Sequence, residues 1–555
     1  MKIGRPKTAQ SRSRTLLKSF AALALAFLLG LLIGEQEWLS TLRHQKINPA
    51  ALFRAALPAA DLPTLVVDMA FADYNIILNQ REKALQSGVC ITSSQDFVPA
   101  TIRVGNTETL VRMRLREGLA TSLGENEKWG FQVRTRDNQL VLGLQRFYLL
   151  DPALNNGLNQ WAFARALESE GILTARYRFV RLVLNGDDRG IYALQEGFAD
   201  ELPAAQGRPE GVMVEFDSDL LWESIAHFQG DAQAGYADPI ANLSASDWQY
   251  FEVDTFRDAS IARHPELAAH KDRAIGLLRS LQTGELSASQ VFDTAQYARF
   301  LALVDLWGAT PGTSLVNLRY YYNPLSGRLE PIGFNGNPLA SEARLSLAAA
   351  YGDPALQAAY AQEALRLSQP GYVEQVQSEL APEWQQLQRA LSAEYGQLEP
   401  PWAKLQARAE QISRSLDPVQ PVFAYLGPPT LSMSATLRID VGNILNLPVE
   451  IVGFDIGGAT FLPAERRWLQ EPSTHLLTDD AAKAILRAFD ASVRPVIRYA
   501  QFHIPLTYIQ SLDEELDFSR ELEIQVVTRI LGLSEIHRTA ARQGYPEPLP
   551  AGALE

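Results

Sequence analysis

YRFVRLVLNGDDRGIYALQE, residues 177–196, is the stretch on which the reading of this chain turns. Two β-rich runs, Tyr177–Leu184 and Gly190–Gln195, flank a turn opened by Asn185-Gly186. Both positions of that dipeptide tolerate positive φ, which a tight hairpin turn demands. Upstream, TIRVGNTETLVRMRLR (101–116) alternates around Gly105-Asn106 and reads as a second hairpin. GFQVRTRDNQLVLGLQRFYLL (130–150) continues the strand pattern, with Asp137-Asn138 as its turn. A first strand is expected in LPTLVVDMAF (62–71) and a helix in DYNIILNQREKAL (73–85). Leu158, Trp161, Ala162 and Ala166 recur at helical spacing, with Gly171 at the C-cap position.

Downstream, NLRYYYNPLSGRLEPIGF (317–334) is a further hairpin, and residues 240–310 before it are mostly helical in pattern. Trp384, Leu387 and Leu391, then Trp402, Leu405, Ile412 and Leu416, mark two helices broken at Pro400-Pro401. DPVQPVFAYLGPP, residues 417–429, reads as a linker. Beyond it, 430–555 is strand-rich with Gly and Pro turns, as in a β-sandwich-like accessory domain.

The first residues point to export. Lys2, Arg5, Lys7, Arg12, Arg14 and Lys18 precede a charge-free run, Ser19–Gly34, with no small-x-small cleavage site after it and Trp38 at the expected interface. Residues 1–34 are therefore expected to be a basic cytoplasmic tail and single-pass transmembrane anchor, 35–61 a stalk, and 62–416 the main domain outside the cytoplasm. A cleaved secretory signal is the competing expectation.

Of 50 Lys and Arg, removing the six in the tail leaves 44 against 64 Asp and Glu, a balance of −20 for the rest. Nucleic-acid phosphates need a basic surface, so a nucleic-acid partner is disfavoured. The partners left are the membrane itself and exported proteins or an envelope polymer. The single cysteine, Cys90, excludes an internal disulfide. Seven scattered histidines, and no H-E-x-x-H, G-x-S-x-G or phosphate-loop motif, weigh against zinc hydrolase, serine hydrolase and P-loop chemistry.

In order along the chain, RLREGL, EKWGFQVRT, GLQRFYLLD, WAFARALESEGI, RFVRLVLNGDDRGIYALQE and NLRYYYNPLSGRLEPIGF resemble the spore coat protein H (CotH) kinase family over residues 62–400. The resemblance implies an α+β, atypical protein-kinase-like domain, preceded by one transmembrane helix and followed by the smaller β-rich domain. It also implies ATP, with Mg or Mn, as the cofactor. Lys128 matches the family's phosphate-facing lysine and Glu196 its acidic residue at the nucleotide pocket. Asn317 matches the metal-holding asparagine, but Gly312, between Pro311 and Thr313, stands where the catalytic aspartate belongs. Asp305 is the nearest upstream carboxylate.

The metal-binding W-D-x-D-like motif reads Gly333-Phe334-Asn335-Gly336-Asn337, with amides in place of both acids. Neutral amides make a weak hard-cation site. The expectation is a pseudokinase serving as a binding or scaffolding module in the cell envelope. Two alternatives stand beside it. One is an active kinase of exported proteins using Asp305 as base with Asp217 or Glu215 on the metal. The other is an envelope polymer-binding protein acting through its C-terminal β-domain.

Overall fold

The computed structural model describes residues 62–124, 127–154, 156–229, 251–342, 345, 347, 351–427, 436–463, 467–470, 497–508 and 523–544. Contacts divide the chain into two units: 1–60 with 389–397, and 61–388 with 398–555. The architecture below is that of the second.

The hairpin at 177–196 is the keystone of a closed barrel. Its strands are β6 (Tyr177–Leu184) and β7 (Asp187–Glu196). Asn185 and Gly186 take φ of 51° and 83°, the left-handed values this turn requires. The Asn185 side chain also accepts a 2.7 Å hydrogen bond from Met69 N, which ties the turn to the end of β1 (Thr64–Asp68). The remaining barrel strands are β2 (Val98–Val104), β3 (Thr107–Leu115), β4 (Phe131–Thr135) and β5 (Arg146–Leu150). The ring runs β1-β2-β3-β4-β5-β7-β6, and β6 pairs in parallel with β1 to close it. Alternate residues point inward: Val111, Met113, Phe131, Val133, Phe147, Leu149, Leu182 and Leu194 fill the core. Helix α1 (Phe71–Ser87) packs Ile77 and Ala84 against that core and ends on Gly88 at φ 75°.

A second sheet follows the barrel. Its strands are β8 (Val212–Phe216), β9 (Val253–Thr255), β10 (Arg319–Asn323) and β11 (Arg328–Gly333), ordered β9-β8-β10-β11, with the short strand Leu173–Thr174 at the edge. Helices α2 (Gly157–Ser169), α3 (Pro265–Gln282), α4 (Thr294–Trp307), α5 (Pro354–Leu367), α6 (Tyr372–Tyr395) and α7 (Trp402–Leu416) complete this part of the chain. From α7, Arg408 donates to the carbonyls of Asp305, Leu306 and Ser341, a cation neutralising the C-terminus of α4.

The C-terminal part is two sheets around one core. Strands β12 (Val422–Leu426), β13 (Thr436–Asn443) and β15 (Tyr499–Pro505) lie in one. Strands β14 (Val449–Ile456), β16 (Ile524–Ile530) and β17 (His537–Ala540) lie in the other. Val422, Ile439, Val441, Phe454, Phe502 and Val526 share the core between them. The stretch read as a linker therefore contains a core strand. Gly532 meets α5 closely: its carbonyl accepts from Gln362, and a β-carbon there would lie 2.5 Å from the Ala358 carbonyl oxygen.

Two expectations are overturned. The α+β kinase-like domain is replaced by mixed α/β architecture built on a closed seven-strand barrel. Motif order gave the strands but not the parallel β1–β6 pairing, which joins segments more than a hundred residues apart. The single-pass membrane protein, with its tail inside and its body outside, is corrected as well. Among the described residues no helix is long and apolar enough to cross a membrane. The run at 19–34 holds 16 residues against the roughly 20 a spanning helix needs. That run, the basic tail and the stalk all lie outside the described residues.

Candidate functional site

Of the residues singled out by the CotH resemblance, Asn317 and Asn335 meet, whereas Glu196 is committed to an ion pair. Lys128 is half-buried beside β7, its amine donating to the Ile191 carbonyl at 2.6 Å and lying 5.3 Å from the Tyr192 ring centre. Glu196 ends the same strand five residues further on, about 17 Å away at strand rise. It is buried, and both its oxygens bind Arg176, at 2.5 Å to Nη2 and 2.9 Å to Nε. That carboxylate is committed to an ion pair.

Gly312 sits in a tight turn where a β-carbon would come 3.1 Å from Gly336 Cα and 3.3 Å from the Phe334 carbonyl. A side chain at this position is crowded, and its neighbours would have to give by a few tenths of an ångström. Asn317 and Asn335 do meet: the Asn335 amide donates to Asn317 Oδ1 at 3.1 Å, while Asn317 donates to Pro311 O and Ser314 Oγ. Asp305 is wholly buried and accepts from Leu345 N at 2.8 Å and Tyr360 Oη at 3.0 Å. Glu215 pairs with Arg319 at 2.7 Å, and Asp217 caps the following turn through Asp219 N.

Among the described residues no three His, Cys, Asp or Glu side chains are grouped to hold a metal ion. Two amides bonded to each other do not fit an Mg or Mn site, and no step is routed through one.

What the fold does assemble lies on the outer face of the barrel. In VRMRLR, Val111, Met113 and Leu115 face the core, so Arg112, Arg114 and Arg116 face outward together. Strand register adds their neighbours. Arg112 stands opposite Arg134, and Arg134 opposite Arg146. Arg114 stands opposite Gln132, which stands opposite Tyr148. Like charges directly across a ladder repel, so three arginines in one row are a standing cost to the sheet.

Phe97 gathers them. The Arg134 and Arg114 guanidinium carbons lie 4.3 Å and 4.7 Å from its ring centre, and Arg112 donates to its carbonyl at 3.1 Å. Arg114 is further satisfied by Gln132 Oε1 at 2.8 Å and Ser93 O at 2.6 Å. Arg134 is not: its Nε is buried with no hydrogen-bond partner. Neither Arg134 nor Arg146 has an ion-pair partner among the described residues. Burial, and then the charges of Arg146 and Arg114, push the Arg134 guanidinium down to about 10. Burial, and then Arg257, lower Arg146.

Facing this surface is an aromatic wall. Tyr148 lies 6.2 Å from Phe334, which packs with Phe198 at 5.0 Å, and Arg319 lies within 5.7 Å of the rings of Phe198, Phe256 and Phe334. At the end of β3, Glu117 is pushed up to about 7, by burial first and then by Asp219.

Sequence reasoning missed Phe97, Arg134 and Arg146. The signal was present in the every-second-residue arginines of VRMRLR, read for its period and not for the identity of its outward residues. No family model matches this chain, and no curated protein matches it.

Proposed function

We propose that this chain is a non-catalytic binding module that holds an anionic group, of a small molecule or of a partner, against the arginine row beside Phe97. One observation carries the reading: Arg134 is stacked on Phe97, flanked by Arg112 and Arg146, and its Nε has no acceptor. A buried donor without a partner is costly, and a row of like charges adds to that cost. Guanidinium groups preordered by stacking suit recognition of phosphate or carboxylate oxygens. The order of CotH-like motifs supports kinship with that family as a member without transfer chemistry. Gly312 carries no carboxylate where the base belongs, Asp305 is committed to Tyr360 and Leu345, and Asn317 is bonded to Asn335.

Calorimetric titration of the full chain with sulfate and with phosphate tests this. Saturable binding is expected, falling at least tenfold in Arg134→Gln, with no phosphoryl transfer from ATP to protein or peptide acceptors in any metal. Equal binding by Arg134→Gln, or transfer activity in the native chain, contradicts it.

A further inference from the structure

A cavity of about 290 Å³ opens where helix α2, the start of β6 and helix α6 come together. That volume is at the small end of the roughly 300–1,000 Å³ usual for small-molecule sites. Helix α2 lines it with Trp161, Ala164, Arg165 and Glu168, which fall at the i, i+3, i+4, i+7 spacing of one helix face. Arg176, Tyr177 and Arg178 line it where the chain enters β6, and Glu383 lines it from α6. The cavity shares no residue with the arginine row beside Phe97.

Most of its charge is already paired. Arg165 Nη1 donates to Glu168 at 2.6 Å, and Arg176 gives its Nε and Nη2 to Glu196. Two charges of opposite sign are left over. The Arg178 side chain donates only to the Leu142 carbonyl, at 3.2 Å. The Glu383 carboxylate has neither an ion pair nor a hydrogen bond among the described residues. Trp161 is 3% exposed, yet its indole N–H has no acceptor among the described residues. Unlike Tyr177 Oη, that nitrogen is not sealed from solvent. Ala164 presents only a methyl group to the space, so this face of α2 leaves it open.

A free cation and a free anion that line one recess without meeting suit a ligand carrying both signs. An anion alone would be repelled by Glu383, and a cation alone by Arg178. We propose that this cavity is a site for a free α-amino acid. The ligand carboxylate takes the Arg178 guanidinium and the Trp161 N–H, because a planar guanidinium fork matches carboxylate geometry. The ligand ammonium pairs with Glu383, and its side chain lies against Ala164 and Tyr177. This site is independent of the anion site at Arg134 and differs from it in chemistry.

The test is calorimetric titration of the full chain with leucine, glutamine and phenylalanine. Saturable binding of at least one is expected. Its amide, which lacks the carboxylate, and its deaminated acid, which lacks the ammonium, are each expected to bind at least ~10-fold more weakly. Arg178 and Glu383 are exposed, so Arg178→Gln and Glu383→Gln should leave folding intact and weaken binding by ~3-fold or more each. Ala164→Leu fills the cavity and is expected to abolish binding, with thermal melting as the check on its fold; if it does not fold, the two charge variants decide. Arg134→Gln is expected to leave amino-acid binding unchanged, whatever its effect on sulfate. No binding of any of the three amino acids, a deaminated acid binding as tightly as its parent, or full binding by both charge variants overturns the proposal.

Discussion

Replacing Arg134 by methionine separates a binding arginine from a structural one, because the two roles give opposite signs. Methionine keeps most of the apolar stem over Phe97 while removing the charge. In the unliganded protein, two directly opposed like-charge neighbours, Arg112 and Arg146, lose their repulsion from Arg134. Such pairs cost about 0.2–1 kcal/mol each. The buried Nε without an acceptor disappears too, and an unsatisfied buried donor costs about 1–3 kcal/mol. Against these stands the stacking on Phe97 at 4.3 Å, worth about 0.5–2 kcal/mol. The balance favours the variant by about 2 kcal/mol. Bound anion loses a charge-assisted hydrogen bond of about 1.5–3 kcal/mol, a roughly 10- to 100-fold loss of affinity. Urea denaturation in chloride buffer reads the first quantity and sulfate titration the second. Lower stability together with unchanged sulfate affinity would refute the reasoning.

Other perturbations probe the surrounding parts. Glu117, raised to about 7 in the fold from an ordinary 4.5, keeps its proton between those values when the unfolded chain has lost it. Stability should therefore fall as pH rises through that window, and Glu117→Gln should flatten the decline in a series of denaturation curves. Its negative charge lies beside Arg114 and Arg116, so sulfate should bind the native protein more tightly at pH 6 than at pH 8. Asp305→Asn should destabilise by about 1–3 kcal/mol through its bonds to Tyr360 Oη and Leu345 N, and leave sulfate affinity intact. Gly532 has φ 92° and its missing side chain faces Ala358, so Gly532→Ala should cost about 1–3 kcal/mol. Proteolysis should then cut sooner within residues 417–429, whereas unchanged cleavage would show that the contact is not tight.

The hairpins were legible in the sequence because their signal is local. Asn185-Gly186 and Gly105-Asn106 announce reversals, and alternation sets which residues face the core. Barrel closure was not legible, since nothing in LPTLVVDMAF names β6 as its parallel partner. The strand in 417–429 was hidden by flanking prolines, although Val422, Ala424 and Leu426 alternate inward. For the site, residue identities were carried over by motif, and motif position does not fix environment. Glu196 was placed at a pocket but lies buried in an ion pair with Arg176. Asn317 and Asn335, both matched to metal-binding positions, bond to each other. The arginine row needs register across three strands, a non-local property that turns three separate short stretches into one surface.

The most direct test is a crystal structure of the full chain grown or soaked in saturating sulfate. An anion within hydrogen-bonding distance of Arg134 Nε and of the Arg146 guanidinium is the expected result. A well-ordered Arg134 in that crystal with no anion beside it, or with a carboxylate of the chain itself as its partner, would contradict the claim that this face of the barrel is built to bind.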